Sequence, residues 1–475
     1  MISLDGSNLS CHTLHAIANG KKVKLSSSAI DRMRENASVD DEQILVKKTR
    51  WLVGTNVPVN ANLSQEFILG HCAGVGKPFS KDIVRGAIAA RTNVLATGYT
   101  GSRPIAAQKL IELLNKNITP RVPSQGSVGA AGDLSPMAHI ARVVCGYGPK
   151  IQGYHPLVPT SKEALSLING VSLSAAISAI AIVRAQRIFE SAVLAAALTM
   201  EVIYAQSQCI DPKALQVRGH AEGREIGEKL RAYLDGSKRV HDQRNPDAFS
   251  IRCGPSVMGA FLRSLEFCKE EVENELNGCS DNPLFLDSQW LETGNFHGAN
   301  IAMAMDHLKT ALAQLATLSE RRTFRLTHGK LSKNLPSFLV RGNGLNSGFM
   351  LAQYTAAALA SEVKGLAHPA SIDSIPTVQH HEDHVSMAPI SARMALQAIE
   401  CVADIVSIEL LLGAQALDLR IREDGLEPPP ALSALHKAIR LHVPFWEDDN
   451  VLHPAISAIS NLVRSNQFFS PEAPW

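Results

Sequence analysis

The stretch LSAAISAIAIVRAQRIFESAVLAAALTMEVIYA, Leu173–Ala205, decides the architecture. It reads as one long helix, apolar nearly all round, and such a helix belongs inside a bundle or a subunit interface. The uncharged span Ala164–Val183 leading into it is long enough to cross a bilayer. That span holds Asn169, Gly170 and several serines, however, and Arg184 and Arg187 continue the same helical pattern. A buried core helix is therefore expected, and no membrane. Working outward, Leu308, Leu312, Leu315 and Leu318 recur at helical spacing, as do Ile399, Val402, Val406 and Leu410. Ser80 is the expected N-cap of a helix from Lys81 onward, with Gly98 as its stop. The fold class is mostly α, a bundle of long antiparallel helices.

Strand signals are few and short. Segments 117–136, 241–256, 280–300, 341–349 and 368–386 are rich in Gly, Pro, Asn, Ser and His, and loops on a rigid helical scaffold are where chemistry is usually placed. With no repeat and no low-complexity linker, the simplest division is an N-terminal domain over residues 1–175 and a long-helix domain over 176–475. The chain has 475 residues with 46 Lys and Arg against 45 Asp and Glu, so it carries no electrostatic footprint for nucleic acid. The start, MISLDGSNLS, carries Asp5 and no apolar run, so no signal peptide is read there. The eight cysteines are scattered without a C-x-x-C pair, the usage of reduced thiols in a cytoplasmic protein.

The loops carry ordered motifs: GHCAGVGKP (Gly70–Pro78), GYTGSRP (Gly98–Pro104), GSVGAAGDLSPMAH (Gly126–His139), LING (Leu167–Gly170) and FSIRCGPSVMGA (Phe249–Ala260). SDNPLF (Ser280–Phe285), GNFHGAN (Gly294–Asn300), GLNSGFMLAQ (Gly344–Gln353), LAHPASIDSIPT (Leu366–Thr377), EDHVSM (Glu382–Met387) and QALDLR (Gln415–Arg420) follow. In these motifs the chain resembles the aromatic amino-acid ammonia-lyase superfamily, and histidine ammonia-lyases in particular, over about residues 45–425. The resemblance implies a helical bundle with a smaller N-terminal domain, a homotetramer, and active sites built from loops of three subunits.

Members of that family expel ammonia with a methylidene-imidazolone electrophile made from an internal Ala-Ser-Gly. Here the triplet is Ala130-Ala131-Gly132, and Ala131 has no hydroxyl to eliminate, so no such cofactor is expected. A laboratory Ser-to-Ala change would explain this position alone. Three further family positions argue for natural loss: the tyrosine base is Val53, a second tyrosine is Phe249, and a glutamine is Pro246.

Other positions are retained. The resemblance makes Arg252 a carboxylate clamp, whose planar fork suits a carboxylate. Asn169 would hold the amino or carboxylate end of a ligand. Phe296, with Phe249 and Val53, would wall the pocket, and His71 would line its aromatic-binding end. Glu382 lies in His380-His381-Glu382-Asp383-His384 and would face a basic or hydrogen-bonding ring. With the tyrosine gone, Glu382 or His71 would have to move the proton. The His-rich run has no carboxylate or thiol partner at ligand spacing, so no metal is expected. Cys72 beside His71 reads as a packing residue.

Two readings stay open. One is a cofactor-independent lyase or related isomerase acting on a small, carboxylate-bearing, amino-acid-derived substrate, comparable to ergothionases, which expel trimethylamine unaided. The other is a catalytically inactive homologue acting as a binding or regulatory subunit.

Overall fold

The computed structural model describes residues 1–37, 44–45, 62–148, 150–242, 245–342 and 345–469; Val53 and Val57 lie outside them. Four long helices carry the fold: Ser172–Val202, Gly254–Asn277, Ala299–Thr327 and Ala388–Asp424. The first begins and ends within three residues of the stretch read from sequence. Its most apolar 18-residue window is 83% buried, as befits a core helix. Leu308, Leu312, Leu315 and Leu318 lie on the buried side of Ala299–Thr327, and Ile399, Val402, Val406 and Leu410 on that of Ala388–Asp424. Each such side chain, withdrawn from water, contributes roughly 1.5–3 kcal/mol.

The helix Lys81–Ala96 follows Ser80, whose extended backbone suits an N-cap although its side chain makes no capping bond; Gly98 (φ +87°) turns the chain one residue past the C-cap Thr97. Among the described residues, strands form three two-stranded sheets. Ile2–Leu4 pairs with Val23–Leu25 in parallel, Val75–Pro78 pairs with Pro123–Gln125 antiparallel, and Leu284–Leu286 pairs with Gln289–Leu291 antiparallel. All eight cysteines are free. The mostly α fold expected from sequence is the fold observed.

The chain divides into two compact units, each assembled from three segments. One comprises Met1–Val183, Phe267–Asp306 and Pro369–Leu396; the other comprises Arg184–Glu266, His307–His368 and Gln397–Trp475. Four of the five boundaries fall inside the four long helices, so no linker marks them in the sequence. The second unit has a charged core: Glu409 accepts from both Nε (2.5 Å) and Nη2 (2.8 Å) of Arg322, from Ser319 (2.6 Å) and from Thr199 (2.8 Å). A carboxylate so fully hydrogen-bonded can be buried without leaving an unpaired charge.

Candidate active site

The loop Gly126–Pro136 lies in the first unit and is held by its backbone together with the side chains of Ser127, Asp133, Asn169 and Ser386. Gly132 and Gly170 pair side by side as an isolated parallel bridge. Asp133 N donates to the Gly170 carbonyl (2.8 Å), and Gly170 N to the Ala131 carbonyl (3.2 Å). Both glycines have positive φ, and a Cβ on either would collide with backbone: at Gly132 with the Gly170 carbonyl, at Gly170 with the Ser280 carbonyl. Only glycine permits this approach.

Asp133 precedes the helix Leu134–Val144 but does not cap it with its side chain. Its carboxylate instead accepts from the backbone N (2.8 Å) and hydroxyl (2.6 Å) of Ser174, in the first turn of Ser172–Val202. Burial pushes its carboxyl up to about 6, against the pull of these bonds. Asn169 is 2% exposed. Its Nδ2 donates to the Ala131 carbonyl (3.1 Å), which fixes the amide's orientation, and its own carbonyl accepts from the buried Arg91 guanidinium. Asn169 Oδ1 is buried with no hydrogen-bond partner.

The second wall comes from residues 294–300 and 377–388. Ser386 Oγ donates to the Gly129 carbonyl (2.9 Å), and Met387 N to the Val128 carbonyl (2.9 Å). Gly298 abuts this junction: a Cβ there would lie 2.9 Å from Ala388 Cβ and from Val171 Cγ1. Half-buried Phe296 is thereby placed two residues from the loop junction. Next to it, His297 Nε2 lies 3.3 Å from His384 Nδ1. Burial, then the neighbouring His384, pushes His297 below the usual imidazole range. Glu382 is half-buried, and its Oε2 accepts from the Thr377 hydroxyl at 2.6 Å.

His71 ends the helix Leu63–Gly70. Its Nδ1 bonds the Phe67 carbonyl (2.7 Å), which leaves Nε2 as the acceptor of the neutral ring. The segment is tied to the start of the loop, because Gly74 packs on Gly126. Cys72 bonds the Ile68 carbonyl (3.4 Å), and burial pushes its thiol up. Each side chain is turned back on its own helix, so His71 and Cys72 form no nucleophile–base pair.

Arg252 and Phe249 belong to the second unit, on the short helix Phe249–Arg252. Both are exposed, Phe249 at 68%. The Arg252 guanidinium lies 4.8 Å from the Phe249 ring centroid and makes no ion pair among the described residues, so its fork is free for a carboxylate.

The structure therefore bonds Asn169 to Ala131 and places Phe296 and Glu382 in the two segments that reach the loop junction, at Gly298 and Ser386, with the His71 segment tied to the loop's start. Sequence reading missed Thr377, Ser386, Asp133 and the His297–His384 pair. All four lie in motifs already quoted, or beside them, but none matches a known role by residue type alone. Among the described residues no three His, Cys, Asp or Glu side chains form a metal-holding group.

The model of the family described as aromatic amino acid lyase matches residues 9–441. The chain is 39% identical to a histidine ammonia-lyase of Geobacillus thermodenitrificans, covering 98% of this chain and 97% of that one. Among solved structures, histidine ammonia-lyase from Trypanosoma cruzi superposes with a TM-score of 0.89 at 35% identity, over 98% of this chain and 94% of the other. Tyrosine aminomutase from Streptomyces globisporus does so with a TM-score of 0.89 at 30% identity, over 98% and 97%. A match over most of the chain, in sequence and in fold, makes this protein a member of the aromatic amino acid lyase family.

Proposed function

We propose that this chain is a lyase-family enzyme working without methylidene-imidazolone, eliminating or isomerising a small carboxylate-bearing, amino-acid-derived substrate. The observation that carries the reading is Ala131: a methyl side chain on a loop whose glycines and backbone bonds are all in place. The scaffold for the group is present and the oxygen it must lose is not, so the residues do not fit the cofactor. Without an electrophile, the amine must depart on its own. The proton leaves the carbon beside the one bearing nitrogen, its electrons form the double bond, and the C–N pair leaves with the amine. A quaternary ammonium satisfies this.

Asn169 Oδ1, buried with no hydrogen-bond partner, would supply an acceptor for a ligand N–H or O–H that reaches it. Arg252 holds the carboxylate, and Glu382 or His71 takes the proton. A homotetramer belongs to the same reading, and Leu351 and Tyr354, exposed on the helix Met350–Leu366, offer a face for it to cover.

The second reading is a ligand-binding subunit without turnover. It is favoured by the guanidinium of Arg252 resting on a phenyl ring that can exchange no proton.

Intact mass and a ligand screen test both. The purified chain should have the mass of its sequence, and a mass lighter by two waters would overturn the cofactor-free reading. Thermal shifts with histidine, its N-trimethyl betaine, ergothioneine, phenylalanine and tyrosine should reveal a ligand, since one at a hundredfold over its Kd adds about 2.7 kcal/mol. Arg252→Ala should abolish that shift. A betaine that binds and yields an unsaturated acid supports the lyase. Binding without product selects the subunit reading, and release of urocanate from histidine at ordinary family rates would sink both.

A further inference from the structure

We propose that Thr377 is a positioning residue: it locks the carboxylate of Glu382 and so sets the preference of the site for a ligand ring that donates a hydrogen bond. This rests on the reading of Glu382 as a ligand-facing group.

Two bonds join the pair. The Thr377 hydroxyl donates to Glu382 Oε2 at 2.6 Å, the length of a charge-assisted O–H···O bond, and Thr377 N donates to the Glu382 carbonyl at 3.0 Å. The two residues form an isolated antiparallel bridge. Beyond it, Val385 N donates to Ser374 Oγ at 3.0 Å, a second tie across the same segment.

Between Thr377 and Glu382 the chain reverses through Val378 (φ +44°), Gln379 (φ +53°) and His380 (φ +67°). Three successive non-glycine residues in the left-handed region are costly, and a β-branched one there is a clear outlier. Such a backbone persists only where surrounding bonds over-determine it, and the Thr377–Glu382 pair provides those bonds.

The consequence lies in the carboxylate. With Oε2 tied, the group cannot rotate, and Oε1 is left as a fixed acceptor. Glu382 makes no ion pair among the described residues that would compete for it. A ring N–H gains a bond to a pre-oriented oxygen, whereas a phenyl ring gains nothing. An untethered carboxylate would have to be ordered on each binding event, and that entropy would be subtracted from affinity.

The test uses the full chain and two probes, histidine and phenylalanine, with Kd measured by calorimetry. Thr377→Val keeps the shape and removes the hydroxyl. It should weaken histidine about tenfold, the scale of one hydrogen bond to a charged group, and leave phenylalanine unchanged. Thr377→Ser should restore histidine to the wild-type value. Glu382→Gln should weaken histidine too, and adding Thr377→Val to it should cost nothing more, since the two act through one group. If Thr377→Val fails to fold, pairing it with Val378→Gly relieves the bend and reads the same ratio. An unchanged histidine-to-phenylalanine ratio in Thr377→Val, with Glu382→Gln altering it, overturns the role of Thr377. An unchanged ratio in Glu382→Gln removes the reading of Glu382 itself. A wild-type chain that binds neither probe overturns the preference altogether.

Discussion

The two loops that meet at Ser386 and Gly129 solve the same problem in opposite ways. Gly126–Pro136 makes its sharp turns with glycine, at Gly126, Gly129 and Gly132, all with positive φ. The segment around Glu382 makes them with Val378, Gln379, His380 and Met387, of which the β-branched Val378 is the least suited to that region. The first loop takes its shape from these glycines and is pinned by the side chains of Ser127 and Asp133, while residue 131 carries only a methyl group. The second is held by side chains, Thr377, Ser374 and Ser386, and carries the polar groups of the site.

Three measurements would break or sharpen this contrast. The largest effect is expected at Gly170→Ala, where the new Cβ collides with the Ser280 carbonyl and the φ of +97° disfavours any side chain. A loss of about 4 kcal/mol or more is expected in denaturant unfolding. A loss below about 1 kcal/mol would show that the glycine bridge is slack.

Asp133→Asn comes next. It removes a charge that accepts two bonds from Ser174, at a cost of about 1–3 kcal/mol near neutral pH. The pH dependence has a definite sign. The folded-state carboxyl titrates near 6, above its unfolded value, so its contribution is full below the unfolded value and is lost as pH rises through about 6. Stability of the wild-type chain should therefore fall, from this group, between about pH 4 and 6. The Asn variant should lack that component, and parallel pH curves for the two chains would contradict the burial of Asp133.

The smallest effect is expected at Val378→Gly. Removing a β-branched side chain at φ +44° should raise stability by about 1 kcal/mol, where the same kind of change in a helix would lower it. A lower melting temperature would mean that the bend carries no strain.

Much of the architecture was legible. Leu173–Ala205 declared a buried helix because its apolar residues run round every face, and the spaced leucines and valines of Ala299–Thr327 and Ala388–Asp424 declared two more. The division into units was not legible: its boundaries lie inside continuous helices, where composition does not change. At the candidate site, Ala131, Asn169, Phe296 and Glu382 could be proposed from motifs with a fixed pattern, and of these the Asn169–Ala131 bond is the one contact the structure shows between two of them. Thr377 could not, since its role depends on a reversal through three left-handed residues that no propensity favours. The His297–His384 contact joins positions 87 residues apart and leaves no mark on either stretch. Asp133 precedes its own helix, and only the packing shows that its carboxylate serves another.

The pairing of Gly132 with Gly170 has a further reach. The bonds that close this bridge use the Ala131 carbonyl and the backbone of Asp133 and Gly170, and none of them uses the side chain at 131. Serine and alanine differ there by one hydroxyl, so exchanging one for the other should leave the bridge standing. The same indifference makes residue 131 a natural place to install a foreign reactive side chain.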